Sequence, residues 1–194
     1  MQSADSKQKI RLCEDIHGNV YDARHIPPGT VFENLDLSDM DFTELPKVLS
    51  TCTVKGWFKC CRTDISSLKN SPKVEGTIDV SGCKNFRSFY GLRKGAQWIY
   101  CAHCPSLNSL EGCYGGVRIV NCQDSAIKYI PDYISNRAIF GMFRKDIASC
   151  RANWHAKQAI TRAVEQWTRY GEAVERADNF DYYFIDDFQN TTAR

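Results

Sequence analysis

Apolar residues recur along this chain with a period of about 21 residues. In the segment "NLDLSDMDFTELP" they stand at offsets of zero, two, seven and ten: Leu35, Leu37, Phe42 and Leu45. Three more segments keep these offsets, and two fit them with one inserted residue. The six segments start at Leu35, Phe58, Ile78, Ile99, Val120 and Phe140. Six recurrences in one phase indicate an internal repeat.

The first two apolar positions of each segment are separated by one residue, which is the spacing of side chains on one face of a β-strand. One such turn cannot bury its own apolar edge, so turns of this kind are stable only when they stack on their neighbours. The repeat therefore predicts an α+β protein, built over residues 31–150 as a solenoid of about six turns with one short strand per turn.

The repeat resembles a degenerate, short leucine-rich repeat, whose core pattern is L-x-L-x-x-N/C-x-L. The Asn/Cys position of that pattern is occupied here by Met40, Thr63, Cys83, Cys104, Ser125 and Lys145. Two of these are cysteines, and the hydroxyls of the Thr and the Ser can bond neighbouring backbone. The Met and the Lys cannot supply the same contact. The resemblance implies a stack of strands whose outward side chains line a concave face that binds partners.

The segment before the array predicts a β-hairpin that caps the first turn. In "KIRLCEDIHGNVYDA", apolar residues alternate on both sides of a turn-prone His-Gly-Asn triplet. The alternating residues are Ile10, Leu12, Ile16 and Val20. The proline-glycine linker "IPPGT" separates this hairpin from the array. The N-terminal cap therefore covers residues 1–30.

Residues 151–194 predict a helical cap and a tail. Apolar residues fall there at helical spacings of three and four: Ile160, Ala163, Val164, Trp167, Tyr170, Val174 and Ala177. We expect this stripe to cover the last turn; the alternative is a free helix that binds a partner. For the acidic, aromatic segment "DNFDYYFIDDFQNTTAR" we expect a strand or loop packed on the domain, and the alternative is a docking peptide.

Composition and charge narrow the function classes. The chain has 25 basic and 23 acidic residues, a net charge of +2, so it lacks the positive field that non-specific binding of nucleic acid or membrane requires. The start "MQSADSKQKI" has no apolar run typical of a secretory signal, and no stretch is apolar enough to span a bilayer. We therefore expect a cytoplasmic protein with reduced cysteines.

The chain contains ten cysteines. The stretch "YCAHCPSL" brings Cys101, His103 and Cys104 together, so one hypothesis is a zinc- or thiol-dependent factor. A zinc site needs about four ligands, and this is the single C-x-x-C of the chain. The repeat instead assigns six cysteines to inward or Asn/Cys positions, where a thiol acts as a small apolar side chain: Cys60, Cys83, Cys101, Cys104, Cys122 and Cys150. We expect no cofactor.

The sequence lacks the motifs of common enzyme classes. It contains no G-x-S-x-G, no P-loop and no H-E-x-x-H. The C-x-D motif of bacterial ubiquitin ligases occurs twice, at Cys13–Asp15 and Cys122–Asp124. We expect both matches to be accidental, because the first lies in the hairpin and the second in a repeat.

The outward strand positions carry an unusual set of aromatic side chains. Tryptophan and tyrosine dominate interface energetics, so we predict a non-catalytic module that binds, and by binding inhibits, a protein partner. The residues predicted to bind are Trp57, Lys59, Trp98, Tyr100, Asp36, Asp79, Asn121 and Phe143. The alternative for the aromatic residues is burial, either under the C-terminal segment or because the strands have the opposite phase.

Two further expectations concern the partner. A stand-alone array resembles the compact inhibitors and effectors of phages and bacterial pathogens, which would place the protein in a host-cell cytoplasm. A weaker alternative is a single-stranded nucleic acid, stacked on the outward aromatic rings and bound by Lys59, Arg62 and Arg118. No small-molecule substrate is evident.

Overall fold

The computed structural model describes residues 10–114, 116–135, 139, 141–142 and 144–189; for residues 119–120, 144–145 and 170–189 it describes the backbone alone. The chain divides between Asn153 and Trp154 into two compact units. The elements in chain order are β1 (Leu12–Glu14), β2 (Val20–Asp22), β3 (Val31–Phe32), β4 (Leu35–Asp36), a 3₁₀ helix (Lys47–Thr51), β5 (Thr53–Val54), β6 (Trp57–Lys59), β7 (Lys73–Val74), β8 (Thr77–Asp79), β9 (Trp98–Tyr100), β10 (Arg118–Val120) and α1 (Arg144–Gln189).

The repeat folds as a parallel β-solenoid, as predicted. Strands β4, β6, β8, β9 and β10 form, in that order, one five-stranded parallel sheet, which we call the large sheet. Its register aligns the first inward residues of four turns, Leu35, Phe58, Ile78 and Ile99, all buried. Each turn therefore covers the apolar edge that its neighbour leaves open.

A second parallel sheet, which we call the small sheet and which the repeat does not predict, runs through the first three turns. It consists of β3, β5 and β7 and buries Phe32, Val54 and Val74. Three turns thus carry a strand in each sheet, and the solenoid has about three complete turns rather than six turns with one strand each. Strands of two residues bury one side chain apiece and leave no alternation for a sequence pattern to detect.

The fifth strand of the large sheet is shifted by one residue from its predicted phase. Ile119, rather than Val120, pairs with Ile99. Asn121 follows with a φ of +62°, a left-handed conformation that few residue types adopt readily. Cys122 is then buried as predicted. The extra residue is therefore absorbed at Asn121.

The start of α1 takes the place of the predicted sixth turn. Ile147 and Cys150 are buried as predicted, but they lie on the helix. The Cys150 thiol donates a hydrogen bond to the carbonyl of Ile127 at 3.2 Å. A spacing of three residues suits one face of a helix as well as the end of a repeat, which explains the wrong assignment. Phe140 lies outside the described residues.

The predicted C-terminal helix is confirmed and is longer than expected, because α1 continues to Gln189. The prediction of a strand or loop after residue 177 is therefore wrong up to that residue. In the sequence, Phe180, Phe184 and Phe188 are spaced by four, which is a helical periodicity. Residues 190–194 lie outside the described residues.

The apolar stripe of α1 is predicted to be covered by the last turn. Its described members Ile160, Val164 and Trp167 are 66%, 59% and 74% exposed. The capping role of this stripe stays a prediction.

The N-terminal hairpin is confirmed, since β1 and β2 pair antiparallel with Cys13 opposite Tyr21. Cys13 is buried, whereas Leu12 and Val20 are exposed. The alternation that indicated the hairpin therefore marks its exposed side. Because both sides carry apolar residues, the sequence alone could not tell which side faces the protein.

The loop of the hairpin is held by Asp15. Its Oδ1 accepts hydrogen bonds from the backbone N–H groups of His17 and Asn19 at 2.8 and 3.0 Å. Its Oδ2 accepts from the Asn19 side chain at 3.0 Å and from the Tyr21 hydroxyl at 3.2 Å. These bonds, led by that from the Asn19 side chain, favour the ionised form and lower the pKa of Asp15 to about 2.

Glycines allow neighbouring turns to approach closely where the two sheets meet. Gly56 lies between β5 and β6, and Gly76 lies between β7 and β8. A Cβ at Gly76 would lie 2.1 Å from the carbonyl oxygen of Gly56. The same oxygen accepts the N–H of Thr77 at 3.0 Å. This packing of turn on turn leaves no room for a side chain at position 76.

We expect Gly76→Ala to lower the free energy of unfolding by about 3 kcal/mol or more, because the added methyl group overlaps backbone atoms that cannot swing aside. Gly29→Ala is the control: nothing lies within 4 Å of its added Cβ, and its φ is +78°. It should cost only the about 1–2 kcal/mol of a left-handed alanine. Urea unfolding followed by circular dichroism measures both, and equal losses would contradict the steric explanation.

The stability contributed by Asp15 should depend on pH. Its folded pKa of about 2 lies below the ordinary value of 3.8, so the ionised side chain stabilises the fold above pH 3.8 and this contribution is lost as the pH falls through 2. Asp15→Asn should remove the dependence and weaken the hairpin at neutral pH. Carboxyl NMR titration checks the value; an ordinary pKa would show that the loop bonds do not form in solution.

Candidate binding surface

The strands of the large sheet present two rows of outward side chains, which alternate along each strand with buried ones. The first row is Trp57, Thr77, Trp98 and Arg118, and the second is Asp36, Lys59, Asp79 and Tyr100. We call these eight residues the outward face. Phe58 and Ile99, which lie between the rows, have no exposed surface. The opposite strand phase is therefore excluded for β6 and β9.

Each tryptophan of the outward face is half-buried and packs against a cation. Lys59 Nζ lies 4.6 Å from the ring centroid of Trp57, and the guanidinium carbon of Arg118 lies 4.7 Å from that of Trp98. Such contacts contribute about 0.5–1 kcal/mol at exposed sites. Thr77 lies on the strand between the two tryptophans, which are therefore two strands, or about 10 Å, apart.

Carboxylates and an amide at the ends of the strands also close turns. In each case a side-chain oxygen accepts the N–H of the residue two positions later, which is an Asx turn. The pairs are Asp36 with Ser38, Asp79 with Ser81 and Asn121 with Gln123, at 2.8, 3.0 and 3.1 Å. These residues thus have a structural role besides any contact with a partner.

Some predicted surface residues lie elsewhere. Asn121 lies beyond the end of β10 rather than on the outward face. Phe143 lies outside the described residues. The next outward position of the repeat is buried in three turns, at Ser38, Cys61 and Ala102. In those turns the outward face ends at its second row.

One corner of the solenoid, just after the strands of the large sheet, has a left-handed residue after each of the five strands. These residues, which we call the left-handed corner, are Asp39, Arg62, Gly82, His103 and Asp124, with φ between 53° and 76°. The backbone N–H groups of the first four donate to carbonyls of the following turn. Each lies two residues after the second inward position of its repeat. The mixture of residue types hid this feature in the sequence, because only Gly, Asn and Asp are typical of the conformation.

Polar side-chain pairs connect neighbouring turns along this corner. Arg62 donates to both carboxylate oxygens of Asp39 at 2.6 and 2.7 Å. His103 Nδ1 lies 3.1 Å from Asp124 Oδ2. Exposed pairs of this kind are weak because water and salt screen them, but they orient the side chains along the corner.

The side chains of the C-x-x-C segment do not converge on one point. Cys101 has no exposed surface, and burial raises the pKa of its thiol well above the usual value. Cys104 donates from Sγ to the Val80 carbonyl at 3.3 Å, and burial raises its pKa to about 12. His103 is exposed and paired at the corner. Among the described residues, no group of three or more His, Cys, Asp or Glu side chains could hold a metal ion.

The Asn/Cys position of the repeat forms a ladder of side-chain hydrogen bonds to backbone. Thr63 Oγ1 and Cys83 Sγ both donate to the Cys60 carbonyl, at 2.8 and 3.1 Å. Ser125 Oγ donates to the Cys101 carbonyl at 2.7 Å. The predicted role of the Thr and Ser hydroxyls is confirmed, and the thiol of Cys83 serves the same purpose.

Comparisons of this chain with protein-family models, with curated proteins and with solved structures found no match. Across the part of the chain that the structure describes, no helix combines the length and hydrophobicity that a membrane span requires.

We expect the thiols to be unreactive in the folded protein. All ten cysteines are buried and none forms a disulfide, and only the thiolate reacts. Ellman's reagent at pH 8 should label less than one thiol promptly in the native protein, and all ten after unfolding in guanidinium. Prompt labelling of two native thiols would instead favour the hypothesis of a thiol-dependent factor.

Proposed function

We propose that this chain is a non-catalytic module that binds one protein partner through the outward face. The observation that carries this proposal is the pair of tryptophans, each packed against a cation, on one five-stranded sheet. Tryptophan is enriched among the residues that dominate interface affinity. A ring that is already held in place loses little conformational entropy when the partner binds.

The arrangement of the first row suits insertion of a side chain. Thr77 is small and lies on the strand between those of Trp57 and Trp98, so we expect space for a partner's side chain between the two indole rings. An apolar or aromatic side chain of the partner would pack there and be desolvated, as the anchors of protein interfaces are.

The charges of the second row favour a protein over a nucleic acid as the partner. Asp36, Lys59 and Asp79 alternate in charge on adjacent strands, about 4.8 Å apart. A single-stranded nucleic acid requires a continuous positive groove and open ring faces for base stacking. Here the acidic residues interrupt the positive charge, and each tryptophan ring already packs against a cation.

The outward face alone is too small for a standard protein–protein interface. Its strands span about 19 Å, and its two rows are about 7 Å apart. A standard interface buries about 800 Å² on each partner, which is more than this area supplies. Neighbouring groups would complete it, namely the left-handed corner and Arg11 of the hairpin, whose guanidinium lies 3.8 Å from Asp36.

This mode of binding follows the leucine-rich repeats that the sequence resembles, in which the strand face recognises the partner. A module without catalytic groups would act by covering the partner's surface and thereby inhibiting it. The inhibitors and effectors of phages and bacterial pathogens are the class of protein that this proposal favours, with action in the host cytoplasm.

Affinity capture with the wild-type chain, followed by mass spectrometry and reconstitution with the purified partner, tests the proposal. Trp57→Ala and Trp98→Ala should each weaken binding about 30-fold or more, the effect of losing an interface anchor of about 2 kcal/mol. Tyr90→Ala is the matched control, since Tyr90 is exposed and lies off the outward face.

All three variants should unfold cooperatively in urea, which separates a binding defect from a folding defect. Partner affinity that is unchanged in both tryptophan variants would exclude the outward face as the recognition surface. Steep weakening of oligonucleotide binding with salt would instead support the nucleic-acid alternative.

A further inference from the structure

The acidic and basic side chains of the outward face and the left-handed corner have a charged or aromatic partner in every case but one. The pairs are Asp36 with Arg11, Lys59 with Trp57, Arg118 with Trp98, Arg62 with Asp39, and His103 with Asp124. Among the described residues, no cationic side chain pairs with Asp79. Its negative charge is therefore not compensated within the solenoid.

Asp79 lies at the centre of the outward face, on the third of the five strands of the large sheet. Its half-buried carboxylate accepts the Ser81 N–H at 3.0 Å, which is a neutral donor. Burial, together with the charge of Asp79, raises the pKa of the neighbouring Cys61 thiol to about 12, so the thiol is neutral as well. Neither neighbour supplies a positive charge.

The register neighbours of Asp79 differ in what they offer a bound cation. Lys59 lies on one side, but its Nζ packs 4.6 Å from the ring centroid of Trp57 rather than on the carboxylate. Tyr100 lies on the other side and is 36% exposed. A cation that binds Asp79 on the side of Tyr100 therefore avoids repulsion by Lys59 and lies next to an aromatic ring.

We infer that the protein partner places an arginine side chain on Asp79, an inference that rests on the proposed function. The uncompensated carboxylate complements a cation and would repel an acidic group at the centre of the face. Arginine suits this position better than lysine, because a planar guanidinium can bond a carboxylate and also stack on an aromatic ring.

The strand spacing relates this arginine to the apolar side chain that we propose packs between the two tryptophans. Thr77 and Asp79 lie two residues apart on one strand, which is about 7 Å. An extended segment of the partner has the same spacing. Its arginine would therefore lie two residues from its apolar or aromatic anchor.

Selection of phage-displayed random peptides on the immobilised full-length chain tests the inference. We expect the selected peptides to carry an arginine two residues from an apolar or aromatic residue. Isothermal titration calorimetry then measures the affinity of the tightest-binding peptide for the wild-type chain and its variants. Replacing the arginine of this peptide with alanine should weaken binding to the wild-type chain about 10-fold, the effect of losing a hydrogen bond between charged groups.

Asp79→Asn should weaken binding of the arginine peptide to the same extent. Asparagine can still accept the Ser81 N–H and close the turn, so the fold is retained. In this variant the alanine peptide should bind no more weakly than the arginine peptide, because the interaction is already lost. Asp22→Asn is the matched control: Asp22 also closes a turn, by accepting the Arg24 N–H at 3.0 Å, but it lies in the hairpin, and its substitution should leave the affinity unchanged.

Two results would overturn the inference: selected peptides without arginine, or an arginine whose removal costs as much affinity in the Asp79→Asn chain as in the wild type. If such peptides still lose binding in the Trp57→Ala and Trp98→Ala variants, the proposed function stands and only the arginine contact fails. If no selected peptide depends on either tryptophan, both the proposed function and this inference fail.

Discussion

Hydrogen bonds between the backbones of successive turns set the geometry of this protein. They require equivalent residues of every turn to follow the same path, and the two corners of the solenoid meet this requirement differently. Where the sheets meet, Gly76 lies too close to the backbone of Gly56 for any side chain. At the opposite end of the large-sheet strands, Arg62 and His103 adopt left-handed conformations that ordinarily cost about 1–2 kcal/mol each. The hydrogen bonds from their N–H groups to the next turn offset this cost.

The stacking also explains the chemistry of the cysteines. The interior of the stack takes small side chains just after the large-sheet strands, and a thiol is small, apolar and able to donate one weak hydrogen bond. Cys83 and Cys104 use that bond to satisfy carbonyls of the preceding turn. The C-x-x-C spacing arises because an inward position and a ladder position are three residues apart in the repeat, and no reaction is needed to account for it.

The sequence predicted what depends on long-range periodicity and missed what depends on local backbone geometry. Leu35, Phe58, Ile78 and Ile99 align as the period requires, since burial repeats with every turn. The predicted strand phase was wrong by one residue at Val120. The left-handed Asn121 accommodates the extra residue, and the spacing of apolar residues does not reveal it. The small sheet was missed because each of its strands buries one side chain. In the candidate site, the strand phase predicted that Trp57 and Trp98 face outward. The contacts of Lys59 and Arg118 with their rings depend on side-chain rotamers, which residue spacing does not determine.

Two of the four second-row residues, Asp36 and Asp79, close Asx turns and thereby fix part of the outward face. Asp79 faces solvent and at the same time closes the turn that sends the chain toward the left-handed corner. A substitution there alters the fold together with any contact, so selection for a new partner is constrained at this position. Trp57, Thr77 and Trp98 lie at the start of their strands and close no such turn. If the outward face binds a partner, as we propose, exchange of first-row residues would change its specificity while Asp36 and Asp79 preserve the shape of the scaffold.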